Sequence, residues 1–253
     1  MGTVKKWSVQ IPALSGDFKR RIFVYLPDSY NTEPERRYPV MYMFDGHNVF
    51  FDEDATYGKS WGMLEYMNRS QMDLIIVAVE CNHQGYCRLE EYSPVDFEFP
   101  PCGKIKGRGA EYMEWLTSTL KPYIDTHIRT VPDRSNTLIC GSSMGGLMAL
   151  YAITQYNHIF SRAACLSPSL WVNAISILEL LEKADISHDS YVYMDYGSEE
   201  MRDRENMNEI LLSVAELFLK KGIQTLYRVV SGGTHSESSW EKQIPIFMDY
   251  LSV

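Results

Sequence analysis

Three features of the chain predict an α/β layered fold on a mostly parallel sheet. Short β-rich runs alternate with segments of helical periodicity. Several of those runs are apolar at consecutive positions, as strands covered by helices on both faces require. The two longest helical segments carry one apolar stripe each and are polar elsewhere.

In chain order, the opening segment near 4–11 is expected to pair antiparallel with "RRIFVYLP" (20–27) at a sheet edge. "YPVMYMF" (38–44), "DLIIVAVE" (73–80), "NTLICG" (136–141), "RAACLS" (162–167), "SYVYMDYG" (190–197) and "TLYRVVSG" (225–232) read as further strands. "GAEYMEWLTSTLKPYIDTHI" places Met113, Leu116, Leu120 and Ile124 on one helical face. "MRDRENMNEILLSVAELFLKKG" does the same with Ile210, Leu211, Val214, Leu217 and Phe218, and stops at Gly222. The stretch 81–108 has no regular pattern but holds Tyr86, Tyr92, Phe97 and Phe99, which predicts a packed wall of a site rather than disorder.

The length, 253 residues, allows one large domain or two small ones; with no repeat and no low-complexity linker, a single domain over 1–253 is expected. The net charge of −9 and the lack of any basic cluster larger than "KIKGR" (104–108) argue against a nucleic-acid partner. No apolar run approaches a membrane span, and the polar start "MGTVKKWSVQIPAL" is unlike a signal peptide, so a cytoplasmic location is expected. Five cysteines, an odd and scattered set, do not suggest a disulfide framework. "CNHQGYC" brings Cys81, His83 and Cys87 close together, but no second pair at zinc-site spacing follows, and no metal is expected.

Two serines carry the spelling G-x-S-x-G: Ser143 in "CGSSMGG" and Ser60 in "GKSWG". Ser143 follows an apolar strand and opens the helical run "GLMALYAITQY". Strand, sharp turn and helix are what a nucleophile elbow needs. The hydroxyl then projects at a helix N-terminus, where N–H groups stabilise charge on an attacked carbonyl oxygen. Ser60 follows the acidic, turn-like "FDEDATY" and reads better as the N-cap of a helix starting near Trp61.

A serine hydroxyl needs a base, and the base an orienting carboxylate, in the chain order serine, acid, histidine for this layout. Of the later histidines, His158 ends the elbow helix and His188 reads as surface, whereas His235 in "SGGTHSESSW" directly follows the last strand. The acid belongs after "SYVYMDY", where Asp195, Glu199 and Glu200 are all candidates and position does not separate them. A second oxyanion donor is expected from a main-chain N–H in "DGHN", with His47 acting through its backbone.

The segments "PVMYMFDGHNVFFDEDATYGKSWGMLE", "EEYSP", "RTVPDRSNTLICGSSMGGLMALYA", "FSRAACLSPSLW", "DYGSEE" and "GGTHSESSW" resemble the putative esterase family of α/β-hydrolases, over about residues 18–251. That group includes enterochelin esterase-like proteins, feruloyl and acetyl-xylan esterases, S-formylglutathione hydrolases and mycolyl transferases. The resemblance implies an α/β-hydrolase fold without a separate lid domain. It implies Glu200 as the acid, in a Gly-Ser-x-acid turn, and the N–H groups of Met144 and His47 as the oxyanion hole. It also implies that Trp61 lies near the site. Arg88 and Tyr92, in the long segment, and Trp61 are expected substrate contacts.

The expected activity is serine esterase chemistry through an acyl-enzyme, with no cofactor, on small esters such as acylated sugars or feruloyl and acetyl esters. Acyl transfer by the same three residues, or a catalytically silent binding protein, are the alternatives. A ferric siderophore ranks lower, because Arg88 and Arg108 are the arginines that the long segment offers to an anion. Acyl and alcohol specificity and oligomeric state are not encoded in any motif.

Overall fold

The computed structural model describes residues 1–200 and 206–252. Its strands are β1 (Thr3–Gln10), β2 (Lys19–Leu26), β3 (Val40–Met43), β4 (Ile75–Val79), β5 (Phe97–Phe99), β6 (Gly103–Ile105), β7 (Thr137–Ser142), β8 (Arg162–Leu166), β9 (Tyr191–Gly197) and β10 (Gln224–Val230). Eight of them form one sheet in the order β1-β2-β4-β3-β7-β8-β9-β10. β1 and β4 each pair antiparallel with β2, and every other pair in that sheet is parallel. This is the α/β-hydrolase fold, with the expected antiparallel β1–β2 edge in place.

The central strands are buried at every residue in β3, β4 and β7 because each face carries its own apolar layer. Alternation of side chains along the strands divides the core. Val40, Tyr42, Ile75, Val77 and Ile139 face the layer that includes Leu147, Leu150 and Ile153 of the helix Met144–Gln155. Met41, Met43, Ile76, Ala78, Leu138 and Cys140 face the other, with Met63, Met67, Phe247 and Met248. The helix Met144–Gln155 is buried on nearly its whole circumference, which explains a sequence with little amphipathic contrast.

The stretch 81–108 is more regular than its sequence suggests. It holds a helical turn, Cys87–Glu91, and a small hairpin of β5 and β6. A buried ion pair pins it: Arg20 on β2 donates two bonds to Glu91, at 2.9 and 2.8 Å, and the N–H of Asn82 donates to the same carboxylate at 2.7 Å. Removing either charge alone would strand the other in the core, so the segment is held firmly against the sheet. The helix expected after β9 runs Met207–Lys220; its expected first residues, Met201 to Glu205, lie outside the described residues. Among the described residues, no helix is long and apolar enough to cross a membrane.

Candidate active site

Four loops meet at the carboxyl ends of the parallel strands, where ligands of such sheets bind. β7 ends at Ser142 and the chain turns at once into the helix Met144–Gln155. Ser143 takes φ 58° and ψ −124° at this corner, a strained conformation for a residue with a side chain. The glycines allow the corner to close: a Cβ on Gly141 would stand 2.5 Å from the backbone of Gly145, and one on Gly146 2.6 Å from the carbonyl oxygen of Leu166.

From the end of β9, Gly197 leads into the turn that carries Glu200, and from β10 the glycines 232 and 233 lead to His235. Gly197 and Gly233 lie so close that a Cβ on Gly197 would meet the Gly233 carbonyl oxygen at 2.3 Å. That approach brings Glu200 and His235 together. His235 Nδ1 is 2.6 Å from Glu200 Oε2, and its Nε2 is 2.9 Å from Ser143 Oγ. With the carboxylate accepting at Nδ1, the imidazole keeps its proton there and presents a lone pair to the hydroxyl (a tautomer set by the hydrogen-bond pattern).

The second oxygen of Glu200 is also occupied. Oε1 accepts from Ser167 Oγ at 2.8 Å and from the N–H of Gly197 at 3.0 Å. Ser167 Oγ in turn accepts from Trp240 Nε1 at 3.0 Å, and the Trp240 ring stands edge-on to His235 at 5.1 Å between centroids. Ser167 and Trp240 lie in two of the segments that resemble the family, but no residue pattern there gives either a role; the tertiary approach of β8 to the last loop does.

Asp195 and Glu199, the other candidate acids, fall elsewhere. Asp195 is buried, accepting from Tyr193 Oη at 2.8 Å and from the N–H of Ser167 at 3.3 Å. Burial first, and the nearby Glu200 charge as well, push its carboxyl up to about 7. Glu199 lines a cleft beside Glu200, and its N–H donates to the carbonyl of Gly233 at 3.0 Å.

After β3, Asp45 adopts a left-handed conformation (φ 54°) and a 3-10 turn, Gly46–Asn48, follows. Gly46 is required there: a Cβ would stand 2.5 Å from the backbone of Ala78. The N–H of Met144 is the first of a helix and that of His47 the second of the 3-10 turn, positions whose N–H groups have no partner within their own helical turn. The His47 ring is buried, with Nε2 3.0 Å from Thr56 Oγ1 and Nδ1 without a partner among the described residues. Burial, with the neighbouring His83 adding, lowers its pKa to about 4, so the ring is neutral.

Two clefts flank Ser143 and His235. One, of about 420 Å³, is polar and is lined by Asn48, Asn82, Arg88, Glu237 and the rings of His47 and His83 among others. The other, of about 440 Å³, is walled by Trp171, Tyr196 and Thr234. Phe97 and Phe99 of β5 back the Trp171 ring at 6.0 and 6.2 Å, which is the use the fold makes of the aromatic stretch.

Three expectations need correction. Tyr92 is fully buried beneath the Asp45 turn, where its hydroxyl accepts from the Asp45 N–H at 3.3 Å and Phe44 and Tyr112 enclose the ring; it has no surface for a substrate. Trp61 is buried in the core against Trp240 and Phe247, at 5.9 and 6.4 Å, so it supports the site from behind. Ser60 is not a helix N-cap. The helix starts at Met63 with Gly62 at the cap, and Ser60 Oγ donates to Asp52 at 2.8 Å and accepts from the Gly62 N–H at 3.2 Å. Arg88 does reach the polar cleft, but both of its bonds, at 2.7 Å, go to Asp45. Burial disfavours that charge pair, and the guanidinium still outweighs it to hold Asp45 below its usual range.

The family described as "Putative esterase" matches residues 15–248. The Bacillus subtilis protein YbbA, itself uncharacterised, is 25% identical over 247 residues, 92% of each chain. The siderophore triacetylfusarinine C esterase of Aspergillus fumigatus is 24% identical over 183 residues, 68% of this chain and 60% of that one. A solved structure titled ferulic acid esterase superposes with a TM-score of 0.70 at 20% identity, over 99% of this chain and 97% of its own.

Proposed function

This chain belongs to the putative esterase family and is a carboxylic ester hydrolase, and from that premise we propose that Ser143, His235 and Glu200 carry its reaction as a serine–histidine–glutamate relay. The observation that carries the reading is the hydrogen-bonded line from Glu200 through His235 to a serine held at a strained strand–helix corner.

In the proposed reaction Ser143 Oγ attacks the ester carbonyl carbon while its proton passes to His235 Nε2. Glu200 holds the ring and balances the imidazolium charge. The oxyanion receives hydrogen bonds from the N–H groups of Met144 and His47. The tetrahedral intermediate collapses, the C–O bond to the alcohol breaks, and the alcohol leaves with the proton from His235. Water then repeats the sequence on the acyl-enzyme, returning Ser143–OH and the carboxylic acid.

The clefts bear on the substrate. Among the described residues lining them, Arg88 is the one arginine, and its charge is spent on Asp45. Among those described residues a multiply anionic chelate would meet no uncommitted arginine or lysine. We therefore favour neutral esters with an aromatic or apolar group at Trp171 and Tyr196 and a hydroxylated group in the polar cleft, such as feruloyl or acetylated sugars. The ferulic acid esterase likeness supports this choice, and the siderophore esterase relative supports the rival. Purified protein is assayed against feruloyl, acetyl-xylan, short p-nitrophenyl and ferric siderophore esters. Turnover of the neutral esters well above the siderophore is expected; the reverse ranking sinks the substrate assignment. A fluorophosphonate adduct on wild type but not on S143A is the expected mark of the nucleophile, and equal labelling of both excludes it.

A further inference from the structure

The polar cleft contains a cluster of side chains that the proposed hydrolysis does not use. His47, Cys81 and His83 can each bring a donor atom within 4.8 Å of the others, and all three line the cleft that contains Ser143. They come from two separate places: Cys81 and His83 follow β4, and His47 sits on the 3-10 turn after β3, so the parallel pairing of β3 with β4 makes the cluster.

The two imidazoles are prepared in the same way. His83 Nε2 is 3.2 Å from Glu80 Oε1, and His47 Nε2 is 3.0 Å from Thr56 Oγ1. Engaging one ring nitrogen with an outer oxygen fixes the ring and directs the other nitrogen at a metal, the usual arrangement behind metal-bound histidines. The nitrogens left over are the Nδ1 atoms. That of His83 is 3.9 Å from Cys81 Sγ, near the separation of two ligands on one tetrahedral ion. That of His47 is buried and has no hydrogen-bond partner among the described residues. A buried imidazole nitrogen without a hydrogen bond carries a desolvation cost that an ion at this point would remove.

We propose that His47 Nδ1, Cys81 Sγ and His83 Nδ1 form a site for a borderline-soft divalent transition metal, Zn²⁺ being the fitting probe, with its fourth position open to the cleft shared with Ser143. Two nitrogens and one sulfur suit such an ion and exclude Mg²⁺ or Ca²⁺, which take oxygen ligands. Binding replaces the Cys81 S–H bond by an S–metal bond and releases that proton to solvent, with no change of oxidation state. Cys81 faces Asp45, Arg88 and Glu91. Cys87, the other thiol of the sequence motif, takes no part.

The test uses the whole chain carrying S143A, so that it stands or falls apart from the esterase reading. Co²⁺ is titrated in as a spectroscopic probe and Zn²⁺ as competitor. One Co²⁺ per chain with a thiolate charge-transfer band, displaced by Zn²⁺, is expected. C81S is expected to lose the band, and H83A to weaken binding at least roughly a hundredfold; E80Q is expected to weaken it about ten- to a hundredfold through the outer hydrogen bond. C102S, at an exposed thiol, is the control that keeps the band. Far-ultraviolet circular dichroism checks that each variant is folded. No thiolate band in the parent, or a band that survives in C81S and vanishes in C102S, overturns the site.

Discussion

The segments 141–145 and 58–62 have the same spelling around their serines and opposite fates. In the first, the chain leaves β7, turns through Ser143 at φ 58° and enters a helix, so the hydroxyl stands at the rim of the sheet 2.9 Å from His235. In the second, Ser60 is 2% exposed and tied to Asp52 and to the Gly62 N–H. The pentapeptide alone therefore specifies neither conformation nor chemistry. What differs is a strand that runs up to the serine and a helix that starts at the very next residue, because together they force the corner and the glycines then permit it.

The sharpest way to break the comparison is to remove each hydroxyl. S143A is expected to lower turnover of p-nitrophenyl acetate by roughly a millionfold, as a nucleophile that acts as part of a unit does. Retained turnover would end the assignment. Next in size, E200Q is expected to cost on the order of ten thousandfold in kcat by misdirecting the imidazole, whereas E199Q keeps most of the rate; comparable losses at both positions would disprove Glu200's special role.

The glycines divide in the same way. G141A forces a Cβ to within 2.5 Å of the Gly145 backbone, so a loss of about 3 kcal/mol in denaturant unfolding is expected. G58A has open space and pays for its φ of 70° alone, about 1 kcal/mol. Equal losses would show that the elbow is less tightly closed than its geometry implies.

Asp195 gives a pH test. The folded chain holds its proton up to about pH 7 and the unfolded chain up to about 4, so the unfolded state binds fewer protons across that window. Stability from this group is therefore intact below pH 4, falls as pH rises, and is fully lost above 7. D195N is expected to be more stable than wild type by on the order of 2 kcal/mol at pH 8, with the gain vanishing toward pH 4. A gain independent of pH would assign the effect to packing. Smallest of all, S60A is expected to cost about 1 kcal/mol of stability and leave kcat unchanged; a hundredfold loss of rate would make the two serines functionally alike.

Tyr92 and Trp61 show how far a linear reading reaches. Both stand beside segments that line the site, and both turn inward. An aromatic side chain next to a cleft has the same residue type whether it faces solvent or core, and in each case the packing partners (Phe44 and Tyr112, or Trp240 and Phe247) come from distant positions. The stretch 81–108 likewise hides its helical turn and hairpin, because its order depends on the Arg20–Glu91 pair rather than on local periodicity.

The sequence by itself determined the alternation of strands and helices, the antiparallel edge, the strand–turn–helix setting of Ser143 that Ser60 lacks and the position of His235 just past the last strand, since each rests on local periodicity or on the residues at a strand end. Position along the chain left three acids open and the family resemblance pointed to Glu200; the tertiary structure places Glu200 against the imidazole, and it alone decided which aromatic side chains face the clefts and that His47 stands beside Cys81 and His83. Those outcomes depend on how neighbouring strands are ordered and how closely their end loops approach, as at Gly197 and Gly233. Such approaches join residues tens of positions apart, and no local pattern of side chains records them.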